Sequence, residues 1–292
     1  MKKWQDWKIH EIKSTDDNFP KVLSKISNPV KSLYYRGNWD LSLFKNCLAI
    51  VGSRRNTKYG EQVIKIMLPE IVSSGVTTIS GFMYGIDSLV HSETIDCGGK
   101  TVAVLGSGLD VLYPARNNDL YSQILESGGL VLSEYEASAK PALWTFPARN
   151  RIVVGLASIG VLVVEAGFDS GSLVTARIAF GEKKKVYCVP GPITSKVSAG
   201  CNLWIKNKKA KMVTGIEDIL GKKQRSNCQS SLFDGKGELE KKILEIIENE
   251  PLTMDELVVK TGINISELSV QLSMLQMSGM VEEMGGKYYL SS

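Results

Sequence analysis

CLAIVGSRRNTKYGEQVIKIMLPEIVSSGVTTISG, residues 47–81, decides the fold. Cys47 to Val51 is a short apolar run that stops at Gly52-Ser53-Arg54-Arg55. Tyr59 to Ser74 then carries apolar residues at helical spacing, with Pro69 as a possible kink and Gly75 as a left-handed stop. Val76 to Ile79 is a second apolar run, ending at Ser80-Gly81. Strand, glycine loop, helix, strand is the signature of a βαβ unit. The pattern recurs downstream. Strands are predicted at Thr101–Leu105, Leu130–Ser133, Gly160–Val164 and Val186–Val189, and helices at Asp87–Cys97, Asn118–Ser127, Asn150–Ser158 and Ser172–Gly181. The fold class is therefore α/β: a Rossmann-like parallel sheet with helices on both faces.

Residues 1–46 carry little periodicity and are expected to be an extension packed on the core, with a short strand at Leu33–Tyr35. The α/β body is expected over 47–221 and a polar linker over 222–235. The last part, 236–292, reads as a winged helix. It has a helix from Glu238, a Thr253-Met-Asp-Glu256 capping box, and a helix at Ile265–Gln276 opened by Asn264 and Glu267. A stop at Gly279 follows, and then a Gly285-Gly286 hairpin.

The 292 residues carry a net charge of +4, unevenly spread. Residues 181–225 hold eleven Lys and Arg against three acids, while 236–292 hold five against ten. The third tail helix, where a DNA-reading helix would lie, has no Lys or Arg, so a protein-interaction or regulatory role is expected for the tail. Five cysteines with no CxxC spacing argue against a disulfide framework or zinc ribbon. The first dozen residues lack the apolar core of a signal peptide, and no apolar run is long enough to span a bilayer. A reduced, cytoplasmic setting without membrane contact is expected.

Ligand crevices of such sheets open at the carboxyl ends of the strands. Here those ends carry Gly52, Ser53, Arg54, Arg55, Ser80, Gly81, Ser170, Gly171 and Ser172, with Arg149, Asn150 and Arg151 nearby. Glycines admit a ligand to the backbone, helix N-termini favour anions, and arginine forks fit phosphate. Tyr84 and Phe146 add aromatic faces beside the arginines, the combination that suits unpaired nucleotides. A P-loop is absent, and Gly106-Ser107-Gly108 is too short for a dinucleotide fingerprint. His91 reads as a packing residue and Asp87 as a helix cap. Glu165 and Asp169 are the one candidate carboxylate pair, with no nucleophile beside them. No cofactor, metal or catalytic residue is expected.

Several stretches, in order, carry a resemblance: VGSRRNTKYG (51–60), SGFMYGID (80–87), AVLGSGLDVLYP (103–114), SEY (133–135), FPARNRIVVGLA (146–157), VVEAGFDSGSLVTARIA (163–179) and VPGPI (189–193). Together they resemble the DNA processing protein A (DprA, or Smf) family. The resemblance implies an extended Rossmann-like fold that binds single-stranded DNA without hydrolysing it. It also implies a homodimer that loads the recombinase RecA during natural transformation and recombination. The strand cradle it implies is Gly52, Ser53 and Arg54, with Arg149–Arg151 and Ser170–Ser172. The chain departs from the family pattern at Met83-Tyr84, where Ala-Arg is frequent, and at Leu143, near which relatives often carry a cation. The alternative is a nucleotide-binding phosphoribohydrolase-like enzyme of a related fold. It is disfavoured because Thr175 stands where that loop needs a glutamate.

Overall fold

The computed structural model describes residues 3–221, 238–277 and 280–290. The chain divides into two compact units, Met1–Lys223 and Gln224–Ser292.

The first unit is built on a nine-stranded sheet. Its parallel strands are β3 (Cys47–Val51), β4 (Thr77–Ser80), β5 (Thr101–Val104), β6 (Leu130–Ser133), β7 (Gly160–Val163), β8 (Val186–Cys188) and β9 (Lys211–Met212). Two more, β1 (His10–Lys13) and β2 (Ser32–Gly37), come from the N-terminal segment. The order is β1-β2-β6-β5-β4-β3-β7-β8-β9. β2 runs antiparallel to β6 with Tyr34 opposite Ser133, and β1 antiparallel to β2. Residues 10–37 thus extend the sheet itself. Arg36 is buried and ties β2 inward, its guanidinium donating to the carbonyls of Trp7 and Leu109.

Alternation along the central strands builds two core layers. Cys47, Ala49 and Val51 of β3, with Val161 and Val163 of β7, face α4 (Thr145–Leu156), α5 (Gly171–Gly181) and α6 (Ala199–Lys206). Leu48, Ile50, Leu162 and Val164 face the other way, onto α1 (Lys58–Ser73) and α2 (Ile86–Asp96). On that same side α3 (Asn118–Glu126) packs with Trp4 and Phe82. A strand buried on both faces has no polar side to show, which is why these runs read as continuously apolar.

α1 falls where it was expected, with Pro69 inside it and its end at Ser73. One helix departs from expectation. α4 starts at Thr145, five residues before the expected Asn150, because Pro147 falls in its first turn, where no backbone donor is needed. Phe146 and Arg149 therefore sit on a helix, not on a loop. The stretch 199–221, silent in the periodicity, forms α6, β9 and α7 (Glu217–Leu220).

The second unit contains α8 (Glu238–Asn249), β10 (Leu252–Thr253), α9 (Met254–Thr261), α10 (Ile265–Met277), β11 (Val281–Met284) and β12 (Lys287–Leu290). Its own core holds Ile243, Leu257, Leu268, Leu272 and Val281. The Thr253–Glu256 capping box is formed, Gly262 closes α9 in the left-handed region, and Asn264 accepts from the Glu267 N–H at 2.9 Å. Gly285 and Gly286 take positive φ in the β11–β12 turn. The expected linker 222–235 and the stop at Gly279 lie outside the described residues. Among the described residues no helix is long and apolar enough to cross a membrane.

Candidate nucleic-acid interface

The strand order reverses at β3, whose neighbours are β4 on one side and β7 on the other. A crevice opens there because the connections leave the two strands toward opposite faces. The loops after β3 and β7 form its walls, and a cleft of about 1000 Å³ lies between them. Gly52–Arg55 line it from the β3 loop, Gly81 from the end of β4, Phe146, Arg149 and Asn150 from α4, and Asp169–Ser172 from the start of α5.

The β7 side is an anion-suited helix start. Ser170 caps α5: its Oγ accepts from the Ser172 N–H and lies 2.6 Å from the Ser172 Oγ. The first-turn N–H groups of α5 are oriented along its axis, and the helix dipole adds partial positive charge there. On the β3 side Arg54 is exposed, with its guanidinium carbon 5.6 Å over the Phe146 ring. Tyr113 stands against the same ring at 5.6 Å. An arginine that stacks on an aromatic keeps its N–H fork free for phosphate.

Beneath the floor lies a buried pair. Arg149 is 3% exposed, donates to the carbonyls of Gly81 and Val104, and sits beside Asp87. Burial lowers the Arg149 pKa to about 10, so it remains a cation at neutral pH. Burial also raises Asp87, against the opposing pull of Arg149 and the Met83 N–H. A Cβ on Gly81 would lie 2.2 Å from Asp87 Oδ2 and 2.7 Å from Arg149 Nη2, so no larger residue fits over this pair.

Of the fourteen sequence-derived site residues, eleven line the cleft and three do not. Ser80 is fully buried and its hydroxyl donates to the Ile50 carbonyl. Arg151 points to the other side of α4, where it pairs with Glu134. Tyr84 is exposed but outside the cleft lining. Arg149 is in the lining, yet its Nη1 is held by two backbone carbonyls, its Nε donates to Asn150 Oδ1 and the side chain is buried, so it acts as a fixed buried charge. Asp87 is not the cap of α2; Gly85 holds that position and Asp87 follows in the first turn. Glu165 and Asp169 are not paired: Glu165 accepts from the Thr57 N–H and hydroxyl, while Asp169 lines the cleft. His91 is fully buried against Thr101.

The cleft also contains residues that the sequence reading left out. Ile193–Lys196, following β8, form a further wall, and Tyr113 joins Phe146. VPGPI and the basic stretch from residue 181 pointed at that wall; Tyr113 had no signal of its own beyond its place in the AVLGSGLDVLYP segment.

The family model for DNA recombination-mediator protein A matches residues 10–224, and that for the DprA winged helix domain matches 234–287. The chain belongs to the DNA recombination-mediator protein A family. Protein Smf of Escherichia coli is 33% identical over 98% of this chain and 78% of its own length. DNA processing protein DprA of Streptococcus pneumoniae is 41% identical over 70% and 71%. Its crystal structure matches with a TM-score of 0.68 at 38% identity, covering 75% of each chain. A structure describing the single-stranded DNA binding mode of DNA processing protein A from Helicobacter pylori matches at 29% identity and a TM-score of 0.64, over 73% of this chain and 94% of that one. As a DprA-family chain it carries both a Rossmann-like unit and the family's winged helix.

Proposed function

We propose that this protein binds single-stranded DNA in the cleft at the β3–β7 switch point and delivers it, as a homodimer, to the recombinase RecA in transformation and recombination. The observation that carries the reading is the pairing of the α5 N-terminus with Arg54 stacked over Phe146 across one cleft. Phosphates sit at the Ser170–Ser172 turn, the Gly52–Arg55 loop and Lys196. Bases lie toward Phe146 and Tyr113, where stacking contributes about 1–3 kcal/mol per base. Arg149 adds a buried charge below the strand, and Asn150 a polar contact beside it. The groups around the strand hold it without a nucleophile–base arrangement, so the role is to bind and position, not to cut. The single-strand binding described for the Helicobacter pylori relative supports the reading.

The test is a salt-titrated comparison of single- and double-stranded oligonucleotides. Arg54→Ala is expected to weaken single-strand binding by about 1–3 kcal/mol and to lower the slope of log K against log salt by about 0.7, the value for one phosphate. Unchanged affinity at both low and high salt removes Arg54 from the site.

A further inference from the structure

We propose that a second phosphate-contacting patch, built from Lys183, Lys185, Lys206, Lys208 and Lys209, lies at the end of the sheet opposite the cleft and carries the continuation of a strand held there. It extends the cleft reading but stands on different residues.

Residues 183–211 contain eight lysines and no acidic residue, in a chain whose total is only +4. Two of the eight have other duties. Lys184 turns inward and donates to the carbonyls of Gly155 and Ala157, and Lys211 pairs with Asp218 at 3.5 Å. Lys196 is on the cleft wall. The remaining five are exposed, and none makes an ion pair among the described residues. The neighbouring Glu182 is held by the Ser27 N–H.

Topology gathers them. Lys183 and Lys185 precede β8, and Lys206–Lys209 precede β9, so both groups lie at the amino ends of strands whose carboxyl ends face the cleft. β8 and β9 pair with Tyr187 opposite Lys211, and that register carried back sets Lys185 opposite Lys209. The ends of α5 and α6 meet through Phe180 and Trp204, whose rings are 6.2 Å apart. α6 links the two sites: Ala199 lines the cleft, and Lys206 ends the helix about 11 Å further on, at 1.5 Å per residue.

The backbone marks the patch independently. α5 and α6 each end in a Schellman turn. Lys184 N–H donates to Ala179 and Lys183 N–H to Phe180; Lys209 N–H donates to Trp204 and Lys208 N–H to Ile205. Such turns need a left-handed residue, usually glycine. After α1, α2 and α3 that residue is Gly75, Gly98 and Gly128. After α5 and α6 it is Lys183 at φ 56° and Lys208 at φ 54°. A side chain is thus kept where glycine relaxes the backbone, and in both cases it is an exposed lysine. The favourable effect of cations at helix C-termini applies to all five helix ends and does not account for these two alone. An acidic protein face would fit the charge as well, but the continuity from the cleft along α6 favours a phosphodiester chain.

The experiment uses the full-length protein with labelled oligo(dT) of about 6 and about 30 nucleotides over a salt series. In the variant Lys183→Gly/Lys208→Gly, binding of the short oligonucleotide is expected to be unchanged. Affinity for the long one falls, with its salt slope lower by about 1.4 for two phosphates. The same variant melts no lower than the parent, since glycine suits both turns, so lost binding does not signal a lost fold. Lys185→Gln/Lys209→Gln repeats the test without touching the turns. Unchanged binding of the long oligonucleotide in both variants overturns the proposal and leaves the lysines to an acidic protein. Equal weakening at both lengths also overturns it. The cleft reading fails separately, if Arg54→Ala has no effect on the short oligonucleotide.

Discussion

His91 is sealed from water, with Nδ1 2.7 Å from the Thr101 hydroxyl and Nε2 without a partner among the described residues. Burial first, and the nearby Arg149 charge second, hold its pKa down at about 3. The unfolded chain, with an ordinary imidazole near 6.5, takes up a proton that the folded chain refuses. His91 therefore contributes stability that is present above pH 6.5 and is lost as pH falls toward 3. Asp87 and Glu134, raised by burial, act with the opposite sign. The effect is thus read as a difference: urea unfolding of His91→Gln against the parent shifts by about 1.5–2 kcal/mol in favour of the variant between pH 6.5 and 5. A difference that stays constant with pH would show that His91 is not buried neutral. Its histidine character was readable from sequence as a packing residue, since a lone histidine on a helix has no partner pattern. The arginines were not separable that way. Arg54, Arg149 and Arg151 read alike, and only burial sends one to the cleft, one to backbone carbonyls and one to Glu134.

At the scale of elements, one carboxylate joins the two loops that wall the cleft. Glu165, two residues after β7, is 1% exposed and accepts from the Thr57 N–H at 2.9 Å and from its hydroxyl at 2.6 Å, at the start of α1. Thr57 is itself the side-chain cap of α1, its Oγ1 accepting from the Gly60 N–H, and the carboxylate holds that cap in place. Gly60 makes room for the carboxylate: a Cβ there would lie 2.5 Å from Glu165 Oε2. Glu165→Ala removes two hydrogen bonds to a buried carboxylate, while the exposed Thr57 can turn to water, and is expected to lower unfolding free energy by about 1.5–3 kcal/mol. Urea denaturation at neutral pH measures it, and a loss below about 1 kcal/mol would show that the carboxylate is dispensable. This joint was hidden in the sequence because residues 57 and 165 are brought together only by the β3–β7 pairing. The parallel strands were legible, since burial on both faces makes each a continuous apolar run. β2 was legible only at its centre, Leu33–Tyr35, and β1 was not, because it is an antiparallel edge strand with a single buried position and no glycine loop to frame it. Helix starts were blurred for a related reason: Pro147 resembles a breaker until its place in a first turn is known.

For the whole molecule, charge is the property the two units divide. Residues 224–292 carry six Lys and Arg against eleven Asp and Glu, a net of −5, which leaves +9 on residues 1–223 within a total of +4. The two cores are separate, so a chain ending at Lys223 keeps every buried residue of the sheet layers. Removing the acidic unit strengthens the positive field that draws a polyanion toward the cleft, and that field is screened over about 10 Å at 0.1 M salt. The shortened protein is therefore expected to bind single-stranded oligonucleotides several-fold more tightly than the full chain at low salt, with the two curves converging as salt rises. A winged helix that itself grips the strand predicts the reverse, weaker binding on truncation at every salt concentration. α10 argues against that reverse: it carries Glu267 and no Lys or Arg, and exposes Val270 and Met274 where a DNA-reading helix would present cations. Measured convergence assigns the tail an electrostatic effect on strand capture; a persistent loss assigns it direct contacts with the nucleic acid.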